Sequence, residues 1–168
     1  GPNTRRPFHL RNPDVTTLYA PGAGADLYAA SSITMPNGSL TARGYSNATV
    51  QCNSGNISLT GTINVKGKDC AICAGDENVV GDVTINGDLT AETTGDKYFC
   101  IVGKKVTLIG GTMKITSVTN AVVSYGDMIL GGDITASVTD DHSGAFRTGE
   151  HTYELQSRVS TTYAVSGG

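Results

Sequence analysis

Two stretches decide the fold: Asn56–Val65 reads NISLTGTINV, and Asp82–Ala91 reads DVTINGDLTA. Set one above the other, they place Ile57 on Val83, Leu59 on Ile85, Gly61 on Gly87, Ile63 on Leu89 and Val65 on Ala91. Apolar and polar residues alternate on both sides of the shared glycine, which is the period-2 pattern of a strand with one buried face. Recurrence of the whole pattern around that glycine marks a repeat, and a repeat sets the architecture before any local reading does.

Working outward, Gly38, Gly61, Gly87, Gly111 and Gly132 open the segments GSLTA, GTINV, GDLTA, GTMKI and GDITA, at spacings of 23, 26, 24 and 21. A second segment ends on Gly55, Gly75, Gly103, Gly126 and Gly149, preceded by TVQCNS, CAICA, FCIV, VVSY and AFRT. A third reads NISLTG, DVTING, KVTLIG, DMILGG and TYELQS. Each unit therefore carries three short strand candidates separated by turn signals.

In the first strand the alternate positions are Leu40/Ala42, Ile63/Val65, Leu89/Ala91, Met113/Ile115 and Ile134/Ala136. In the third they are Ile57/Leu59, Val83/Ile85, Val106/Leu108, Met128/Leu130 and Tyr153/Leu155. Between them fall Thr41, Asn64, Thr90, Lys114 and Thr135 in one column, and Ser58, Thr84, Thr107, Ile129 and Glu154 in the other. Each unit thus has an inside and an outside but too little core to stand alone, so stacking of units is required. Like strands then pair in parallel at ~4.8 Å per coil, and the inward residues form aliphatic ladders.

The expected fold is all-β: a right-handed parallel β-helix of about six coils with three short strands per coil. A fainter first coil uses Leu27 or Tyr28 in the second strand and Ile33 and Met35 in the third. The β-helix is expected over residues 15–157, with 1–14 a tail or cap and 158–168 a C-terminal cap or linker. Gly1-Pro2 reads as the remnant of a cleaved tag. The variable coil length, with the DENVVG insertion after Gly75, favours the right-handed form over the left-handed one built from strict hexapeptides.

Composition narrows the function classes. An apolar content of 38% and a net charge of −3 suit a globular chain. Twelve Lys+Arg against 15 Asp+Glu, spread along the chain, give no basic face for nucleic acid. The chain has no apolar stretch of the roughly 18 residues needed for a helix inserted in a membrane. Richness in Gly and Thr suits many short strands joined by tight turns.

On this pattern residues 15–157 resemble the pectate-lyase-like right-handed β-helix superfamily, and in style the adhesin-like repeats of bacterial surface and phage tail proteins. The resemblance implies an extracellular or cell-surface protein. Enzymes of that superfamily work from one outward sheet face bearing carboxylates with Arg or Lys. The matching columns here hold Thr, Ser, Asn and one Lys, with no carboxylate pair on neighbouring rungs, so catalysis is not expected.

The densest polar cluster is Asp140, Asp141 and His142 with Arg147, Glu150 and His151. Carboxylates and imidazoles at a loop edge suit a carbohydrate or a cation, and equally a solvated loop. The loop Asp76-Glu77-Asn78 has the same standing. Neither matches the Asp/Gly-rich nonapeptide of calcium-binding β-rolls, so calcium is allowed at these edges but not expected, and no other cofactor or metal is expected.

Four cysteines stand at 52, 70, 73 and 100. Counted back from the second-strand glycine, Cys52 and Cys100 take the position of Ile72, Val123 and Phe146. They are therefore expected to point inward as small hydrophobes, with the Ile72 rung between them. Cys73 falls one residue out of phase, which opposes a zinc site, while a Cys70 disulfide stays open for an exported protein. The sequons at Asn37, Asn47 and Asn56 carry no weight in a chain this rich in Asn, Ser and Thr.

The expected function is a non-enzymatic binding or adhesion module of a secreted or surface-attached microbial protein, directed at a glycan or a surface protein. A spacer or fibre-assembly domain, monomeric or trimeric, is the first alternative. A polysaccharide lyase or hydrolase fragment is the second.

Overall fold

The computed structural model describes residues 16–20, 27–29, 31–44, 48–75, 78–140, 143–149, 153–155 and 159–163, with side chains for all of these but 16–20, 153–155 and 159–163. Among them there is no helix, and every strand-to-strand ladder is parallel. The chain is a parallel β-solenoid of about five turns. The segment count predicts six coils; a turn closes only on returning to its own ladder, so six stacked strands bound five steps.

Second-strand segments form a six-stranded sheet: β2 (Leu27–Ala29), β5 (Ala48–Cys52), β7 (Cys70–Ala74), β9 (Ile101–Gly103), β12 (Val122–Ser124) and β15 (Phe146–Thr148). The other sheet has eleven strands. It comprises β1 (Thr16–Ala20), β3 (Ile33–Met35), β4 (Ser39–Gly44), β6 (Ile57–Gly67), β8 (Val83–Thr93), β10 (Val106–Ile109), β11 (Thr112–Ser117), β13 (Met128–Leu130), β14 (Asp133–Val138), β16 (Tyr153–Leu155) and β17 (Val159–Tyr163).

The third and first strand segments run together as one eleven-residue strand in β6 and again in β8. Their hinge is glycine. Gly61 and Gly87 pair directly and have φ of 129° and 135°. A Cβ on Gly61 would lie 1.9 Å from the Gly38 carbonyl oxygen, and one on Gly87 would lie 2.0 Å from that of Gly61. Both the backbone conformation and the close approach of the preceding coil therefore require glycine.

The first and third strand columns stack in the order their alternation predicts. Leu40, Ile63, Leu89, Met113 and Ile134 form one continuous rung-to-rung series, as do Ala42, Val65, Ala91, Ile115 and Ala136. Ile33, Ile57, Val83, Val106 and Met128 form a third, and Met35, Leu59, Ile85, Leu108 and Leu130 a fourth. All twenty are buried. Burying a side chain of Leu, Ile or Met size contributes roughly 1.5–3 kcal/mol, and these ladders supply most of that burial. In the main chain Tyr153 and Leu155 pair with Met128 and Leu130, and β17 carries the first-strand ladder past Leu155 by pairing with β14.

The second-strand register differs from the glycine count. Cys52 faces Ala74, not Ile72, and the inward column runs Leu27, Val50, Ile72, Ile101, Val122 and Phe146. Turns of unequal length follow these strands, so their terminal glycines lie at different heights and make a poor ruler. Val123 consequently faces outward, while Cys52 and Cys100 both lie in the main core.

Corners are tied from coil to coil by side chains. Asn56 N–H donates to Ser32 Oγ at 3.0 Å, Asp82 N–H to Asn56 Oδ1 at 2.8 Å, and Lys105 N–H to Asp82 Oδ1 at 3.2 Å. Short polar side chains before the third strand thereby satisfy main-chain donors that the bend would otherwise leave open.

Candidate functional site

The outer face of the second sheet is apolar along its middle rungs. Its outward column runs Tyr28, Gln51, Cys73, Val102, Val123 and Arg147. Cys73, Val102 and Val123 join Ala48 and Cys70 in a second buried cluster, covered by Val79, Tyr98 and Phe99. The segments CAICA, FCIV and VVSY carry a sequence signal for this, since unbroken apolar runs without alternation belong to strands covered on both faces.

Local irregularity brings Cys70 into that cluster. Residues three apart in a regular strand point to opposite faces, yet Cys70 and Cys73 share one. The N–H groups of Ala71 and Ile72 both donate to the Cys100 carbonyl, at 2.9 and 3.0 Å, as at a β-bulge, and this resets the phase. Ala121 and Val122 repeat the arrangement on the Ala145 carbonyl. All four cysteines are buried free thiols. Desolvation pushes the Cys70 thiol well above its usual range, with Cys73 beside it adding to the rise. Burial likewise pushes Cys100 up to about 12. The Cys70 and Cys100 thiols are therefore poor nucleophiles at neutral pH. Among the described residues, no group of three His, Cys, Asp or Glu side chains is placed to hold a metal.

Over the second cluster lies an aromatic patch. Tyr98 and Phe99 rings are 4.8 Å apart, and the Arg147 guanidinium sits 5.3 Å from the Phe99 centroid. That distance lies within cation–π range. Thr119 Oγ1 donates to the Tyr98 carbonyl at 2.5 Å and anchors the loop that carries both rings. Tyr98 is pushed above the ordinary phenol range by burial first, then by nearby Cys73 and by Tyr125, whose side chain hydrogen-bonds with it. Tyr125 itself is 45% exposed.

Of the six residues singled out in the sequence, Asp141, His142, Glu150 and His151 lie outside the described residues. Asp140 stands on a corner loop, where its N–H donates to the Val118 carbonyl and its Oδ2 accepts from Ser143 Oγ at 3.0 Å. Arg147 belongs to the outer face of the second sheet. Asp76 and Glu77 also lie outside the described residues. The aromatic residues close to this cluster in the chain are Phe146 and Tyr153, whereas the ring under the Arg147 guanidinium is that of Phe99. Phe99 stands on an earlier coil and meets Arg147 only through the stacking of coils.

A second feature lies at the corner between the first and second strands. Arg43, Gly44, Lys66, Gly67, Lys68 and Thr94 line a cavity of about 350 Å³. Arg43, Lys66 and Glu92 occupy successive rungs, and Lys66 Nζ is 3.7 Å from Glu92 Oε1. Thr49, fully buried, donates from Oγ1 to the Lys66 carbonyl at 3.1 Å and fixes the corner. On the sheet face proper, Thr41, Asn64, Thr90, Lys114 and Thr135 stand in register. Asp88 spends one carboxylate oxygen on the Thr112 N–H at 2.9 Å.

Comparison of the chain with protein families, with curated proteins and with solved structures finds no match.

Proposed function

We propose that the chain is a non-catalytic binding module, adhesin-like in style, of an extracellular or surface-attached protein, and that its ligand is a glycan. One observation carries this reading: the partly exposed Tyr125 and the Arg147 guanidinium flank the Tyr98–Phe99 pair on the outer face of the second sheet. Aromatic faces suit the apolar side of a sugar ring, while phenol and guanidinium groups supply hydrogen bonds at its edge. Rigid rungs beneath the patch lower the ordering cost of binding. A right-handed helix of the pectate-lyase-like type belongs to the same reading. Its enzymatic members use carboxylates on an outward sheet face, and the outward column here runs Thr41, Asn64, Thr90, Lys114 and Thr135.

The test is binding of a panel of neutral and acidic oligosaccharides by calorimetry, with Tyr125→Ala and Arg147→Ala as variants. Binding that falls about tenfold or more in either variant supports the reading. Turnover of any polymer would move the assignment to the enzymatic alternative. A stable trimer that binds no glycan would move it to a fibre-assembly domain.

A further inference from the structure

We infer that the corner cavity formed by Arg43, Lys66 and Lys68 is a subsite for the negatively charged substituent, carboxylate or sulfate, of an acidic saccharide. The inference rests on the glycan-binding reading and adds to it a ligand class and a second place of contact.

Three cationic side chains from two successive coils line one cavity in a chain whose net charge is −3. Chance spacing in the sequence does not collect them. Arg43 and Lys66 are distant in the chain and meet because β4 and β6 pair in register, while Lys68 follows at the turn after β6. Glu92 approaches Lys66 at 3.7 Å from the next rung and offsets part of the charge. Thr94 adds a hydroxyl to the lining, and its N–H is already committed to the Gly67 carbonyl at 3.1 Å. Gly44 and Gly67 are accounted for by packing, because a Cβ on either would meet Thr49 Oγ1, at 2.7 and 2.2 Å. Thr49 bonds the Lys66 carbonyl at 3.1 Å, and the parallel pairing of β4 with β6 sets Arg43 and Lys66 on adjacent rungs. A cavity of about 350 Å³ suits one or two sugar residues better than a bare ion.

The chemistry selects anions bonded to something polar. Guanidinium and ammonium groups pair with carboxylate or sulfate oxygens by charge-assisted hydrogen bonds. Such contacts at an open cavity are moderate in strength and sensitive to salt. Glu92 acts as an internal competitor, occupying Lys66 until a ligand anion displaces it.

Calorimetric titration of the whole chain with three oligosaccharides of equal length, one neutral, one uronic-acid-based and one sulfated, tests the assignment, with inorganic sulfate as a fourth ligand. The expected result is tighter binding of at least one acidic oligomer than of the neutral one, weakening as salt is raised. Lys66→Gln with Lys68→Gln should lower that affinity by about tenfold or more. Both residues are exposed, and an unchanged circular-dichroism spectrum would show that the fold is retained. Glu92→Gln should raise affinity about two- to fivefold by releasing Lys66. Preference for the uronic or for the sulfated oligomer identifies the anion. Equal binding of neutral and acidic oligomers, or acidic binding untouched by the lysine variants, would overturn the subsite and leave the glycan reading standing. Binding of inorganic sulfate alone would overturn the saccharide assignment. No binding by any oligomer would remove both.

Discussion

Asn56 Oδ1 accepts a hydrogen bond from the Asp82 N–H at 2.8 Å, across a gap of 26 residues in the chain and one coil in space. This bond is one step of a corner ladder that continues from Asp82 Oδ1 to the Lys105 N–H. Asn56→Ala removes the acceptor and leaves the donor to solvent, since the site is exposed. The expected loss is about 1 kcal/mol, read from the urea midpoint. Asn56→Asp keeps an acceptor and should restore most of it. Equal loss in the two variants would show that the amide matters for something other than this bond.

Leu108 pairs with Ile85 on one side and Leu130 on the other, wholly buried, while its neighbour Thr107 faces outward. Leu108→Asp places an unpaired carboxylate in a dry ladder and should abolish soluble expression. Thr107→Asp should fold with a midpoint close to that of the parent. Similar behaviour of the two would mean that the register is displaced by one residue.

Cys70 and Cys73 are sealed beneath Tyr98 and Phe99. An aromatic disulfide reagent should label them slowly in the folded chain, at a rate set by opening of that cover. Phe99→Ala removes one ring and its cation–π contact with Arg147, so labelling should accelerate about tenfold or more while the main core keeps its stability. A rate unchanged by the substitution would place the barrier in global unfolding instead.

Burial holds the Cys100 thiol protonated up to about 12, whereas in the unfolded chain it ionises near 9.0. The unfolded state therefore binds fewer protons across this window. The contribution to stability is complete below pH 9 and falls as pH rises towards 12, by at most ~1.4 kcal/mol per pH unit for this group. Cys52 and Cys70 are raised as well and act in the same direction. Urea midpoints between pH 8 and pH 11 should decline in the parent and decline less steeply in Cys100→Ala. Parallel slopes would place the thiol in contact with water.

The amino-acid sequence by itself determined the solenoid and the inward side chains of two of its three strands, because their period-2 alternation and glycine hinges are local and repeat with every coil. Ile57, Leu59, Ile63 and Val65 could be assigned to the core from the chain alone, since polar Ser58 and Asn64 sit between them on a face open to water. The second strand offered no such contrast. In CAICA and FCIV both faces are apolar, and the bulge at Ala71 and Ile72 is a hydrogen-bonding event on Cys100, one coil further along, which no local pattern encodes. Only the tertiary structure decided that Val123 points outward, that Tyr98 and Phe99 roof a second cluster, and that Arg147 stacks on that roof. It also collected Arg43, Lys66 and Lys68 into one cavity. Side chains dispersed along a chain become neighbours in a solenoid by rung pairing, and the pairing depends on turn lengths that differ from coil to coil.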